Sequence, residues 1–477
     1  MKRKSNNSMT NIAFITQNTF VNIECFYADI VQVRHSVKRT PYQNILLFDL
    51  DTYRFTVQLF ALLLEERHVL LPPNGQAGTV EQLSTLFDAT MGTITSEDKP
   101  VISFCLVENE TQVTENVGAA NETPFQLSRE ALFAQLKGQL TFFTSGSTGK
   151  PKAIVKFVAQ LISEIDILAT TFSDQLQQSS CVVSTVSHQH IYGLLFKVLL
   201  PLRMGITVAN KTFEYPEHIA TFFDEVTSHA KGMIKKPLKG LLISSPAHLK
   251  RLVLDNVLMP IKKTISATFS SGGPLSFDTS QCFTQQMQQA PIEVFGSTET
   301  GGIAWRCGQL DKKSPWILFP SLSYQAIEPA GQLAINSPYV VEHEYLTDDL
   351  IQPIDANSFY LLGRVDRTIK LEEKRINLAH VERCLLSHPW VSEIRILVLP
   401  LSAKNNREVL AAVVELTQLA FDKLEQQGKT AVNNVFKQQL LTEFERISLP
   451  KKWRYVRALP YNAQGKTALN ELERLFD

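Results

Sequence analysis

Short apolar runs separated by stretches of helical spacing recur from residue 44 onward, and this alternation restricts the possible folds more than any other feature. Asn44 to Phe48 (NILLF) is strand-like, residues 52–67 carry helical spacing, and His68 to Leu71 (HVLL) is a second apolar run closed by Pro72-Pro73. Strand, helix, strand implies a parallel pair, because a crossover must return the chain before the next strand can run the same way. The same order returns at residues 181–187 (CVVSTVS), 206–209 (ITVA), 239–244 (KGLLIS) and 264–273 (TISATFSSGG). No fixed period links these runs, which excludes a solenoid.

The pattern changes near residue 363. Phe359 to Arg364 ends an apolar strand, and Ile376 to Leu386 reads as an amphipathic helix stopped before Pro389. Residues 393–400 (EIRILVLP) and 408–416 (EVLAAVVEL) alternate as an antiparallel pair would. A helix over roughly 430–446 and a short strand at 453–457 complete a small α+β unit. The expected fold class is α/β: a large N-terminal domain of several sheets with parallel strands (1–363), a hinge (364–366) and a small α+β domain (367–477).

The chain has 477 residues, long enough for two to four structural units. Its 47 Lys and Arg balance 47 Asp and Glu, which argues against a polycation built to bind nucleic acid. The balance is uneven along the chain. Residues 367–477 hold 18 basic and 13 acidic residues, net +5, which leaves −5 for the rest. The basic excess centres on Lys451, Lys452, Arg454 and Arg457 around Trp453 and Tyr455. Two readings stand side by side: a solvated face over a buried tryptophan, or a surface for an anionic partner. The six cysteines form no CxxC pair and read as reduced thiols. No apolar stretch is long enough to span a bilayer. A soluble, cytoplasmic protein is expected.

Residues 140–152 carry the most specific chemistry. The apolar run Leu140 to Phe143 leads into Thr144, Ser145, Gly146, Ser147, Thr148 and Gly149, followed by Lys150-Pro151-Lys152. Glycines let the backbone approach a phosphate, main-chain N–H and hydroxyl groups donate to it, and lysine adds charge. The spacing is not that of a Walker loop, in which the lysine precedes a Mg²⁺-binding hydroxyl. Here Pro151 follows Lys150.

This loop, TSGSTGKPKA, resembles the phosphate loop of the adenylate-forming superfamily, which includes acyl-CoA synthetases, aryl-CoA ligases and peptide-synthetase adenylation domains. Further motifs follow in the family's order. Phe295-Gly296-Ser-Thr-Glu299-Thr300 resembles the segment in which the glutamate holds the Mg²⁺ of ATP, the threonine contacts the α-phosphate and the aromatic ring stacks on adenine. Read from the residues alone, Glu299 is an oxygen ligand suited to Mg²⁺ or a plain loop carboxylate. Ser271-Gly272-Gly273 resembles the other adenine wall, with the acyl pocket beside it. Asp349, in YLTDDL, matches the aspartate that grips the ribose, although the family's preceding glycine is Asp348 here. Arg364 would also reach the ribose, and Asp366 would be the pivot on which the small domain swings between half-reactions. Lys466, in NAQGK, matches the lysine that reaches the carboxylate and α-phosphate.

His190 and Gly193 sit where the family often has H-x-x-G lining the acyl tunnel. His188 makes an H-x-H pair with His190, and a pocket wall or a packed core ring is preferred to a metal site. One position departs from the pattern: Glu373 stands where CoA ligases usually have a glycine that lets pantetheine pass. Similar E-E-K-R stretches occur in stand-alone synthetases of aryl-polyene-type pathways, a weaker resemblance.

The resemblance implies ATP- and Mg²⁺-dependent activation of a carboxylic acid, aryl or medium-chain, to acyl-AMP with release of pyrophosphate. Transfer to a thiol follows, on CoA or on the phosphopantetheine of a discrete acyl-carrier protein. Catalysis would fall to Lys152, Glu299, Thr300 and Lys466. Residues 467–477 alone follow Lys466, so the carrier is expected to be a separate molecule. The alternatives are another second step, such as amide formation, and a non-catalytic acyl- or nucleotide-binding homologue.

Overall fold

The computed structural model describes residues 12–16, 19–104, 128–145, 151–213, 215, 217–229, 238–254, 258–309, 314–340, 344–371, 374–402, 405–446, 449–461, 467 and 469–476. The chain forms two compact units. The first comprises residues 1–312, 319–322 and 337–343, and the second 313–318, 323–336 and 344–477.

The first unit is built on two sheets. One has the order Ala89–Gly92, Asn44–Phe48, His68–Leu71, Gln139–Ser145, Pro151–Phe157. Its first four strands run parallel, and Pro151–Phe157 turns back antiparallel on Gln139–Ser145. The helix Thr52–Leu64 makes the crossover between the strands at 44 and 68, as its spacing predicts. It is buried from Phe55 to Leu64, with Thr56 and Gln58 the polar residues in that span, which marks it as a core helix. In the other sheet Thr207–Thr212, Cys181–Ser184, Gly240–Ser244, Ile265–Ser270 and Ile292–Ser297 lie side by side and parallel. Every apolar run read as a strand in this region is one. Gly301–Cys307 returns antiparallel along Ile292–Ser297.

The polar edge of such a parallel sheet is its carboxyl edge, where open α/β sheets place ligands. Ser184, Ser244, Ser270 and Ser297 all end their strands there.

In the second unit, Ser323–Ile327, Gln332–Asn336, Glu344–Asp355 and Ser358–Arg364 form an antiparallel meander. Val391–Ser402 and Asn405–Leu416 form the expected antiparallel pair, joined in parallel by Lys452–Val456. Two helix boundaries differ from the expectation. The first helix spans Leu378–Leu386, because Asn377 caps it by accepting from the His380 N–H at 2.9 Å. Over Gln418–Leu440 two helical stretches meet at a kink where Gly428 takes φ 75° and ψ 163°; the second begins just after Gly428, close to the expected 430, and ends at Leu440 rather than 446.

Trp453 is buried at 2% exposure, stacked on Phe436 at 5.8 Å, with its indole N–H donating to the Pro450 carbonyl at 3.0 Å. Of the basic residues around it, Arg454 lies over the Phe476 ring at 4.9 Å and Arg457 over Phe421 at 4.8 Å. Trp453→Ala should therefore destabilise the second unit by about 3–5 kcal/mol, measured by denaturant unfolding followed at this unit. A loss below about 1 kcal/mol would contradict the packing described.

Candidate functional site

The hairpin Gln139–Ser145 and Pro151–Phe157 places Thr144 opposite Lys152 and Ser145 opposite Pro151. The loop at its tip therefore joins two antiparallel strands, whereas a Walker loop leads from a strand into a helix. Gly146, Ser147, Thr148, Gly149 and Lys150 lie outside the described residues, as do Glu373 and Lys466.

Lys152 and Glu299 come together. The Lys152 ammonium donates to Glu299 Oε1 at 2.8 Å. Burial alone would raise the Glu299 carboxyl, but the Lys152 hydrogen bond, its charge and the Ser297 hydroxyl outweigh burial and hold it below the usual range. Glu299 is thus an ionised carboxylate in the turn between Ile292–Ser297 and Gly301–Cys307. Thr300 is fully buried in the same turn. Its hydroxyl meets the Ser297 hydroxyl at 3.0 Å and donates to the Gly301 carbonyl at 2.9 Å, so it already serves the turn.

Beneath this turn lie two residues that sequence reasoning missed. Lys156 is 2% exposed and donates to the main-chain carbonyls of Glu299 at 2.5 Å and Tyr339 at 2.7 Å. Glu164 is 3% exposed and accepts from the Gly302 N–H at 2.7 Å. Burial brings the Lys156 ammonium down to about 8, opposed by the charges of Glu164 and Glu299. Burial pushes the Glu164 carboxyl up to about 7, opposed by Gly302 and Lys156. The only sequence signal was a charged residue at an inward position of each element. Lys156 alternates with outward Val155 and Phe157, and Glu164 lies on the face of Leu161, Ile165 and Leu168.

Phe295 and Gly296 precede the turn on the strand Ile292–Ser297. The Ser271 hydroxyl donates to the Val294 carbonyl at 2.8 Å, which ties the 271–273 segment alongside Phe295. Gly272 and Gly273 are exposed, with open space where a side chain would stand. His190 precedes the short helical turn Ile191–Gly193. At Gly193 a Cβ would fall 1.9 Å from the Ser187 carbonyl oxygen, so close backbone approach alone requires glycine there.

His188 is a core residue. Its Nε2–H donates to the Asp49 carbonyl at 2.8 Å, and Nδ1 accepts from the Thr52 hydroxyl at 3.2 Å. Burial, and then the Lys197 charge, hold it well below the usual histidine range. Among the described residues no group of three His, Cys, Asp or Glu is placed to hold a metal ion. Lys197, a further residue that sequence reasoning missed, is fully buried in the π-helical turn Leu194–Leu199 and donates to the Thr212 hydroxyl at 2.8 Å. Its signal was a single lysine within LLFKVLLPL.

In the second unit Asp349 faces Arg364 across paired strands. The guanidinium lies 3.7 Å from Asp349 and 3.2 Å from Asp348. Asp349 is the more enclosed, its side chain 13% exposed against 58% for Asp348. Asp366 lies in the 3₁₀ turn Val365–Arg367, which directly follows Arg364. Tyr461 and Thr467 bridge on either side of residues 462–466, and the Tyr461 hydroxyl donates to Glu393 at 2.6 Å.

The described residues thus bring together a carboxylate held ionised by a lysine and the carboxyl end of a strand of a parallel sheet. Residues 94–328 match the family model described as AMP-binding enzyme. It is similar to the 4-coumarate–CoA ligase of Cereibacter sphaeroides, at 26% identity over 260 residues, covering 54% of this chain and 56% of that one. It is also similar to the L-proline–[L-prolyl-carrier protein] ligase of Pseudomonas fluorescens, at 24% identity over 352 residues, covering 68% of this chain and 66% of that one. The match thus spans little more than half the length of the first relative. Among solved structures, ATP-bound MatB from Rhodopseudomonas palustris matches with a TM-score of 0.70 at 16% identity, covering 98% of this chain and 96% of that one. That likeness is one of fold: large sheets in an α/β arrangement with a smaller C-terminal domain. Among the described residues no helix is long and apolar enough to cross a membrane.

Glu164 makes stability depend on pH. Its folded-state value of about 7 lies above the ordinary 4.5, so its contribution is fully present below about pH 4.5 and is lost as pH rises through about 7. The Glu164→Gln variant should gain on the parent protein across that window, by up to about 3 kcal/mol, and the difference should then level off. Parallel stability–pH curves for the two proteins would rule this out.

Proposed function

We propose that the protein is an AMP-forming acid–thiol ligase. It activates a carboxylic acid with ATP to an acyl-adenylate, releases pyrophosphate, and passes the acyl group to a thiol. The observation that carries this reading is the Lys152–Glu299 pair at the foot of the phosphate loop, within the AMP-binding domain. The similarity to CoA ligases and to a carrier-protein ligase supports a thiol as acceptor.

In this reading Thr144 to Lys150 bind the phosphates, with Lys152 supplying charge. Phe295, Gly296, Gly272 and Gly273 enclose the adenine. Asp349 accepts the ribose hydroxyls and Arg364 orients it. Ser271, His190 and Gly193 border the acyl group. The hydroxyl of Thr300 reaches the α-phosphate by giving up the Gly301 carbonyl. Glu299 suits Mg²⁺, which is commonly held by one or two carboxylates together with phosphate oxygens. When bound, that ion would offset charge on the phosphates. Lys466 would offset the charge that builds on the α-phosphorus as the substrate carboxylate attacks. Asp366 is the proposed pivot between a domain of 1–363 and one of 367–477. No protein nucleophile is required; catalysis is positioning and electrostatics.

Lys466→Ala should reduce acid-dependent pyrophosphate exchange by at least about 100-fold while sparing thiolysis of supplied acyl-adenylate. Normal exchange in that variant would sink the assignment. A panel of aryl and medium-chain acids in the same assay identifies the substrate.

The acceptor is proposed to be an acyl-carrier protein or CoA, both anionic. Arg454 and Arg457 are docked on rings, so Lys451 and Lys452 are the lysines to test. Reversing both charges should raise the KM for the acceptor at low salt, with the effect fading as salt rises. Unchanged acceptor kinetics at low salt would refute the docking role.

A further inference from the structure

We propose that Lys156 and Glu164 form a two-point clamp that sets the position of Glu299, making both of them positioning residues. The proposal rests on the adenylating role given to Glu299 above.

Lys152, Ile154 and Lys156 share one face of the strand Pro151–Phe157 through its two-residue alternation. The two lysines reach the same residue by different atoms. Lys152, at the exposed end, donates to the Glu299 carboxylate, and Lys156, at the buried end, donates to the Glu299 main-chain carbonyl. One strand face therefore controls both where residue 299 sits and where its side chain points.

The far end of the turn is held from the helix Val158–Thr171. Glu164 takes the Gly302 N–H at 2.7 Å. It comes this close because residues 301 and 302 are both glycine. A Cβ on Gly301, which has φ +70°, would stand 2.7 Å from Glu164 Oε2, and one on Gly302 would stand 3.3 Å from Oε1. The turn 298–300 is thus fixed on both sides by charged groups from adjoining elements.

An ordinary buried ion pair would look different. Among the described residues no ion pair joins Lys156 to Glu164; each meets main-chain groups, Lys156 the carbonyls of Glu299 in the turn and of Tyr339 beside it, and Glu164 the Gly302 N–H. Burying two charges is costly, and apolar side chains of similar volume often serve packing as well or better. Main-chain positioning accounts for what apolar residues there would not supply.

The test uses the full chain and four variants: Lys156→Met, Glu164→Leu, the double variant of these two, and Glu164→Gln. The readouts are Tm, Mg·ATP affinity by calorimetry, and acid-dependent pyrophosphate exchange. Each of the first two variants should lower Tm. The double variant removes both buried charges and should regain most of the lost Tm. Its Mg·ATP affinity and exchange should nonetheless stay down by about tenfold or more, the effect of losing one buried hydrogen bond. Glu164→Gln keeps an acceptor for the Gly302 N–H and should retain most of both activities where Glu164→Leu does not. A double variant that recovers affinity and exchange along with Tm would reduce the pair to charge balance and overturn the clamp. Equal behaviour of Glu164→Gln and Glu164→Leu would overturn it too. If the parent protein exchanges pyrophosphate with no acid, the ligase reading fails. The clamp is then judged on Mg·ATP affinity alone, and an unchanged affinity in the double variant overturns it.

Discussion

Glu299 is gripped through two kinds of atom by one strand, and the arrangement of the candidate site follows from that constraint. The Lys152 ammonium keeps the carboxylate ionised at the surface, while Lys156 holds its carbonyl from inside. This requires the strand Pro151–Phe157 to run back from the phosphate loop along Gln139–Ser145, so that its two ends meet the turn at different depths. A loop leading into a helix would not present two lysines on one straight face. The antiparallel return is thus part of the chemistry as well as of the sheet.

The site's neighbours are arranged to support the turn. Ser271 ties its own segment to the strand below Phe295, and Gly301 and Gly302 admit Glu164 beneath the turn. Elsewhere polar groups are buried for scaffold reasons. His188 bridges the Asp49 carbonyl and the Thr52 hydroxyl, and so joins the turn after Cys181–Ser184 to the start of the helix Thr52–Leu64. Burial, bonding and neighbouring charge separate the two cases. A neutral ring with an oxygen partner on each nitrogen is structural, while an ionised carboxylate left 20% exposed beside a lysine is available to a ligand.

In the second unit the same distinction recasts the basic cluster. Zero net charge over the chain conceals +5 in residues 367–477, but two of the four clustered cations lie over aromatic rings. Trp453 organises the core there, stacked on Phe436. Arg454 and Arg457 thus belong to the packing of this unit, and the docking role proposed above falls to Lys451 and Lys452.

Apolar periodicity is a local property that burial enforces, so the parallel strands at 44, 68, 181, 207, 240 and 265 and the antiparallel pair near 400 were legible from the residues alone. The residues alone also mark which loop and which turn carry oxygen and lysine chemistry, since glycines, hydroxyls and charges at short spacing are legible one segment at a time. That Lys156 and Glu164 meet the turn at 298–302 appears only once the chain is folded. Residues 138 and 143 positions apart meet there, and no local pattern encodes such a meeting. The fold likewise decided that Gly193 answers a backbone approach from Ser187, and that a further helical stretch precedes the kink at Gly428. Contacts between distant segments depend on how sheets and helices stack, and that is settled only when the whole core closes.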